Sequence, residues 1–581
     1  MRSGLEMLGL LIDHGADING PSNAAGCVLS SAASHRKTTD LEFLLAKGAN
    51  INMRGTGENG ETALHVAARN GSWHNFDILL QRGADINIGG KYGTALHGLA
   101  RSDDVAGAVV RMKRLVEMGA DPKAQCKELG TALHVACRKR EPESIQIVQF
   151  LVDSGVDVNI VAGRYGTPLQ AMCAWNENIE MAELLLANNA DVNLQGGEYG
   201  NALQAACSRG NMELAQLLLA HGADVNAQGG YFGNALQAAC DCDWRPSMAI
   251  VRLLLESGAD VNAVGGIYET ALQAAAYKYQ GSEYTDSKGT VRLLLEYGAN
   301  VHIQGGKYGN ALNAAAAAAF HNLDVLQLLL DHGADVNKVS GERGTPLHNA
   351  LDTQRKRRLG RRIKLTELCI GKIRFLLENG ADVNLPGGEY GLPLQSACVM
   401  GSFSSKISYY VERIDAAAKT IRLLLDYEPL TDVNAHGGIF GTALQAAAYS
   451  GLAESISLLL ERGAQVACHE WCGKYGSALN AAVIKGHWDI VHLLCEAGAK
   501  PDCYSMQTPD EEWLLKVRQE DGRGAEERYR KFWELEKPIQ EQTLLQRQSL
   551  LTAIHFSRLL MPFQLFISFL LAYFIRTNKR E

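Results

Sequence analysis

Residues Gly222 to Cys240 read GADVNAQGGYFGNALQAAC, and the reading of this stretch decides the fold. It opens with a Gly-Ala-Asp-Val-Asn loop, passes through a Gly-Gly-aromatic-Gly turn, and enters a small-residue helix at Asn234. A near copy, NADVNLQGGEYGNALQAAC, occupies Asn189 to Cys207, and another begins at Gly258. The loop recurs at Gly48, Gly83, Gly119, Gly155, Gly298, Gly333, Gly380, near Thr431, and at Gly463 and Gly498. Most intervals are about 33 to 36 residues, the spacing of a repeat array. The helix-opening element recurs in phase, as Thr62-Ala63-Leu64-His65, Thr131-Ala132-Leu133-His134 and Thr167-Pro168-Leu169-Gln170. Further copies start at Thr94, Asn201, Thr270, Asn310, Thr345, Leu392, Thr442 and Ser477, and a degenerate one is Cys27-Val28-Leu29-Ser30.

The chemistry of the unit is consistent with two helices and a turn. Thr, Asn or Ser ahead of Ala/Pro-Leu supplies an oxygen for a free N–H in the first turn. Pro168 and Pro346 fall at the first helical position, where a missing N–H costs nothing. The first helix is rich in Ala and permits close approach, whereas the second carries a Leu face, Leu217 to Leu219 and Leu253 to Leu255. Gly after that second helix provides a left-handed C-cap. A single unit cannot bury its own apolar face, so stability has to come from stacking.

On these motifs the chain resembles the ankyrin repeat, whose period is about 33 and whose signature contains T-P-L-H-x-A. The Gly-Gly-x-Tyr-Gly-x-Ala-Leu-Gln-Ala-Ala dialect is similar to the ankyrin arrays of fungal NACHT receptor-like proteins. The resemblance implies an all-α repeat solenoid of stacked helix-turn-helix repeats with β-hairpin-like turns, followed by a helical C-terminal tail. The expected organisation is a truncated repeat over 1–19, whose first half is missing, and a solenoid of about thirteen units over 20–502. A helical cap and charged helical segment over 503–549 and an apolar segment over 550–581 follow. One departure leaves the hairpin tip open: Gly200, Gly233, Gly309 and Gly441 fall three residues before the leucine, with an aromatic ring where the usual glycine stands.

At 581 residues the chain exceeds what one hydrophobic core serves, and its net charge of −8 is slight for this size, so nothing in it argues for a nucleic-acid surface and a nucleic-acid partner is not expected. Of its thirteen cysteines, Cys137, Cys173, Cys207, Cys240 and Cys398 occupy a position where other repeats carry Ala, so they read as buried small residues. With no secretory signal in Met1 to Asp13, an intracellular and chiefly cytoplasmic setting is expected, with nuclear entry left open. Three units are stretched, at Tyr277 to Lys288, Leu351 to Lys372 and Val399 to Lys419. The middle insertion holds a basic run, Arg355 to Lys364, readable as an import or phosphate patch or as a solvated helical extension. Thr508-Pro509-Asp510-Glu511 is a strong helix start, and Trp513, Leu514, Leu515 and Val517 behind it would cover the last repeat. Leu550 to Ile575 is apolar but broken by Pro562, Gln564 and Ser568. It has four readings: a membrane span, an interfacial helix, a partner-docking segment, or a mistaken terminal exon.

No constellation carries catalysis. Cys468-His469-Glu470-Trp471-Cys472 lacks a second ligand pair at a zinc-site interval. His65, His97, His134 and His348 share one structural repeat position, and no phosphate-binding loop or nucleophile elbow appears. No cofactor, metal or small-molecule substrate is expected, and the chain reads as a non-catalytic scaffold for a protein partner. The alternatives are the sensing portion of a larger NACHT-type receptor and a membrane-tethered adaptor. In ankyrin proteins the hairpin tips and first helices form a concave binding face. Carried onto this sequence, the tips hold the rings Tyr92, Tyr165, Tyr199, Phe232, Tyr268, Tyr308, Tyr390, Phe440 and Tyr475. The residue before each ring varies: Lys91, Arg164, Glu198, Tyr231, Ile267, Lys307, Glu389, Ile439 and Lys474. The near-constant rings read better as a structural stack, and partner specificity is expected in the changing residues.

Overall fold

At Asn234 the backbone is extended, and the side-chain Oδ1 accepts from the Gln237 N–H at 2.9 Å. That bond satisfies a donor the first turn cannot pair itself, and the helix Ala235–Cys240 begins there. Asn201 does the same for Ala202–Ser208, Thr167 for Pro168–Trp175, and Ser477 for Ala478–Lys485. Each of these short inner helices is buried along nearly its whole length. The longer outer helices bury one face only: Leu214, Ala215 and Leu218 in Met212–Ala220, and Ile456 and Leu459 in Ala453–Glu461. Gly222 then takes a left-handed φ of 81°, and its N–H and that of Ala223 close on Leu219 and Leu218.

The computed structural model describes residues 4–22, 26–34, 38–55, 60–242, 247–277, 287–318, 322–340, 343–352, 365–399, 407–427, 431–466, 473–499 and 511–541. These fall into two units, Met1–Asn300 and Val301–Glu581. In the first, inner helix packs on inner helix from Val28–Ser34 through Ala271–Tyr277. In the second, inner helix likewise packs on inner helix from Ala311–Ala317 to Ala478–Lys485. The fold is therefore an all-α stack of helix-turn-helix repeats. Its extended structure among the described residues is one two-stranded pair, Pro21–Ser22 with Gly26–Cys27, and single antiparallel bridges at the tips such as Gly229↔Gly233.

Three sets of bonds join one repeat to the next. The first starts from the buried polar residue in the first turn of each inner helix. Thr131 N–H donates to His134 Nδ1 at 3.1 Å, so the neutral ring carries its proton on Nε2 and donates to Gly166 O, 2.8 Å away in the following repeat. His348 repeats this with Gly391 O at 3.0 Å. Gln170 reproduces it: Oε1 accepts from Thr167 N–H at 3.1 Å, and Nε2 donates to Gly200 O at 3.2 Å. The second set is an asparagine ladder. Asn193 donates to Gly222 O at 2.9 Å and accepts from Asp224 N–H at 2.7 Å, and Asn226 makes the same pair with Gly258 and Asp260. Between rungs, Asp224 accepts from Asn226 N–H at 2.9 Å. The third set links the tips: Glu198 N–H donates to Arg164 O at 2.9 Å, and Tyr231 N–H to Glu198 O at 2.8 Å. A Cβ on Gly230 would lie 2.3 Å from the Tyr199 carbonyl carbon, so the glycine pair is a requirement of close hairpin stacking.

Beyond the last repeat, Glu511–Asp521 and Arg523–Glu541 pack on each other, and the second packs on Ala478–Lys485. Leu514, Val517, Tyr529 and Phe532 are buried, and Arg528 Nε donates to Ile484 O at 3.0 Å. Asp521 sits against Lys485 at 2.6 Å and Lys474 at 3.3 Å, and accepts from the Tyr475 hydroxyl at 3.0 Å. Burial opposes its ionisation, but the Lys485 and Lys474 charges and the Tyr475 bond outweigh it, holding the carboxyl below its usual range. Residues 508–510 and the side chain of Trp513 lie outside the described residues, as do the basic run, the Cys468–Cys472 cluster and the whole apolar segment 550–575. Among the described residues no helix is long and apolar enough to cross a membrane.

Two predictions follow from this bonding. Burial pushes the His134 and His348 imidazoles down to about 4, against which their carbonyl bonds work. With the folded value depressed, the stabilisation is complete above pH ~6.5 and is lost as pH falls toward ~4, by roughly 3 kcal/mol per ring at most. His134→Gln with His348→Gln should keep the fold at neutral pH, since Gln makes the same two bonds, and should flatten the fall in thermal midpoint on acidification. A pH profile unchanged by both substitutions would refute this. Secondly, Glu269 holds φ 71° where Gly200 and Gly233 stand in neighbouring repeats. Glu269→Gly should stabilise by about 1 kcal/mol, read by chemical denaturation; a loss of stability would contradict the strain argument.

Candidate partner-binding surface

The rings at the tips form two runs of stacked aromatics, one in each unit. In the first unit Tyr165 and Tyr199 have centroids 6.4 Å apart, and Tyr199 and Phe232 6.3 Å apart. In the second, Tyr390 and Phe440 are 6.0 Å apart, and Phe440 and Tyr475 6.3 Å apart. Tyr165, Tyr268, Tyr308, Phe440 and Tyr475 are buried, while Tyr92, Tyr199, Phe232 and Tyr390 are half-buried. Tyr268 uses its hydroxyl inside the array, donating to Asp241 at 2.8 Å. Such rings contribute to the fold through offset stacking.

The residues before the rings are placed differently. Lys91, Arg164, Tyr231, Lys307, Glu389 and Ile439 are exposed, and Glu198, Ile267 and Lys474 are half-exposed. In the first unit the backbones of Arg164, Glu198, Tyr231 and Ile267 are tied from tip to tip, and in the second Lys474 is tied to Ile439, so these side chains are presented in order along each unit. Arg164 and Glu198 form a bidentate pair, with Nε–Oε2 at 2.5 Å and Nη2–Oε1 at 3.0 Å. That pair raises the Arg164 guanidinium above its ordinary value. Lys474 is held by the segment beyond the last repeat, 3.3 Å from Asp521.

A second group was not legible in the repeat pattern. Arg101, Arg138 and Arg209 each follow the last residue of an inner helix, and Trp175 ends the inner helix lying between the last two. Arg138 lies 4.6 Å over Tyr165 and 5.3 Å from the Trp175 centroid, while Arg209 lies 4.7 Å over Trp175 and Arg101 5.3 Å over Tyr92. These positions vary between repeats, and only the folded tips show that they meet.

The site offers no reactive centre among these residues. The imidazoles of the repeat motif are capped and neutral, and burial pushes the Cys137, Cys207 and Cys398 thiols up, away from thiolate chemistry. Among the described residues no group of three His, Cys, Asp or Glu could hold a metal ion. The surface is suited to contact.

A family model described as ankyrin repeats in three copies matches residues 1–90, 77–162, 96–196, 169–265 and 408–505, which together exceed half of the chain. A second, for ankyrin repeats in many copies, matches 314–359. The human "Ankyrin repeat and SOCS box protein 16" is 32% identical over 141 residues, 23% of this chain and 31% of that protein. The mouse "B-cell lymphoma 3 protein homolog" is 29% identical over 169 residues, 28% of this chain and 36% of that protein. The chain thus spans about a third of the length of these curated relatives. The crystal structure of the human ASB11 ankyrin repeat domain is 24% identical, with a TM-score of 0.33, covering 40% of this chain and 98% of that one. Ankyrin repeats are protein-interaction modules and generally non-catalytic. With its family models, its capped inner helices and its bonded tips in agreement, the chain belongs to the ankyrin-repeat family.

Proposed function

We propose that this protein is a non-catalytic interaction scaffold that holds a protein partner against its concave tip face. Specificity lies in the residues that precede the rings. The observation that carries the reading is the division of labour at the tips: the rings are buried or half-buried, several of them in stacks, while most of their changing neighbours are exposed. Contact surfaces of this kind gain specificity from charge arrangement more than from area. Buried free cysteines, including Cys137, Cys173, Cys207 and Cys398, support an intracellular, reducing setting.

A second reading makes the chain the sensing portion of a larger NACHT-type receptor, supported by the Gly-Gly-x-Tyr-Gly dialect of its tips. The two readings share one recognition surface and differ in whether a nucleotide-binding module is joined to it. A transcript that continues into such a module would favour the second. The membrane-tethered variant rests on 550–575 alone, and release into the soluble fraction by alkaline extraction would remove it.

The test is retention of a captured partner by variants of the full chain. Lys307→Glu with Glu389→Lys should leave stability within about 0.5 kcal/mol and weaken partner retention by about tenfold. Tyr308→Ala, which empties a fully buried ring position, should cost about 3 kcal/mol of stability. Partner retention that survives the double charge reversal, yet is lost in Tyr308→Ala at an unchanged melting temperature, would invert the roles and refute the assignment.

A further inference from the structure

The arginines around Trp175 have more positive charge than the fold uses. Arg209 has a structural role, since its Nε donates to Ala174 O at 2.5 Å and completes the end of the preceding inner helix. Arg140 Nε likewise donates to Trp175 O at 3.1 Å. Cations at helix C-termini are ordinary on dipole grounds. Arg138 stands at the same place, after Ala132–Cys137, but its side chain reaches no helix-end carbonyl among the described residues. Its side chain makes ring contacts only, its Nε is buried without a hydrogen-bond partner, and the adjacent Trp175 Nε1 is also buried without one. Among the described residues no ion pair engages Arg101, Arg138 or Arg209. Burial disfavours the charge on Arg138, and the nearby Arg101 and Arg164 disfavour it further. Two guanidiniums, Arg138 and Arg209, thus meet on the Trp175 platform, and Arg101 stands over Tyr92 one repeat before Arg138, with no ion pair to any of the three among the described residues.

From this juxtaposition of Arg138 and Arg209 over Trp175, with Arg101 one repeat earlier, we infer that this face of the first unit binds an extended acidic peptide segment of the partner. The inference rests on the scaffold reading above and gives its partner a chemistry. Guanidinium forks pair with carboxylates bidentately, and pairing is strongest where the cation is already partly stripped of water. The rings set the geometry. Successive ring centroids are 6.4 and 6.3 Å apart at Tyr165, Tyr199 and Phe232, close to the ~6.6 Å between alternate residues of an extended strand. A peptide lying along the repeats therefore offers one side chain per repeat on the same side, and Asp or Glu at alternate positions meets the guanidiniums. A nucleic-acid strand fits less well. The exposed Glu128 and the half-exposed Glu198 stand in the same row of tips, and the ring faces a base would stack on already have guanidiniums over them.

The experiment is fluorescence anisotropy on the full chain with a labelled peptide of about a dozen residues alternating Glu and Ser, long enough to span several repeats. The same peptide with Gln for Glu, and a single-stranded oligonucleotide, are the competing probes. The Glu peptide should bind and weaken with salt; Arg138→Gln should weaken it by about tenfold at unchanged thermal midpoint, and Arg209→Gln by about tenfold with a lowered midpoint from the lost Ala174 O bond. Should Arg138→Gln fail to fold, Arg138→Lys keeps the charge but loses the fork, and should still weaken binding. Equal binding of the Gln peptide, indifference to the arginine variants, or tighter binding of the oligonucleotide with the same arginine dependence would each overturn the inference. If the acidic peptide fails while Lys307→Glu with Glu389→Lys still releases the captured partner, only this inference falls and the scaffold reading stands.

Discussion

The inner helices that begin at Ala132 and Pro168 each contain a buried polar side chain that its own repeat can satisfy only by half. The N-cap N–H of one repeat occupies Nδ1 of His134 or Oε1 of Gln170, and the remaining donor finds its acceptor in the next repeat, at Gly166 or Gly200. A buried donor left unmade costs about 1–3 kcal/mol, so an isolated repeat carries a penalty that stacking removes. The apolar faces alone would tolerate a sliding or rotated neighbour. The directed bond does not, and it sets the register in which alanine helices approach closely and tips come within hydrogen-bonding reach.

Once that register is set, the glycines follow. Gly166 has φ 86°, and a Cβ there would lie 1.8 Å from Gln170 Oε1. It is excluded by the very side chain that makes the inter-repeat bond. Gly197 and Gly230 are excluded by the preceding tip's carbonyl group instead. The glycine-rich stretch that could pass for a ligand loop is therefore a record of close approach by backbone and buried amide. The asparagine ladder adds a parallel constraint on the opposite side of the loop. Asp191 holds the turn through Asn193 N–H, and each Asn reaches both to the next carbonyl and to the next Asp N–H.

Much of this could be read from the chain in advance. Capping residues, N1 prolines, the Leu face and the repeat phase are local signals, and they located Asn201, Pro168 and Gly222 in roles that the coordinates bear out. The capping of the motif histidines was legible as a repeated position. What was not legible depends on contacts between residues roughly a full repeat apart. Asn193 and Asn226 read only as loop polar residues, because their partners belong to the following unit. The meeting of Arg138, Trp175 and Arg209 was hidden for the same reason, and also because those positions change identity from repeat to repeat. Glu269 in a left-handed conformation could be found only by noticing that it replaces a glycine three residues before Leu272.

The same bonding decides where recognition can reside. A residue that satisfies a neighbour's buried donor cannot change without cost, so the N-cap, the amide or imidazole after it, the ladder Asn and the second glycine of the tip are spent on stacking. The rings are nearly so where they stack, as Tyr165, Tyr199 and Phe232 do. Two positions per repeat escape: the residue ahead of the ring and the residue at the end of the inner helix. They lie near each other at the tip end of each repeat, as Arg138 over Tyr165 shows, and they are where the chain does vary, from Arg164 to Glu198 to Tyr231 and from Arg138 to Trp175 to Arg209. An array built on so constant a joint can change its partner only by changing those side chains, which makes them the natural place for selectivity to be written.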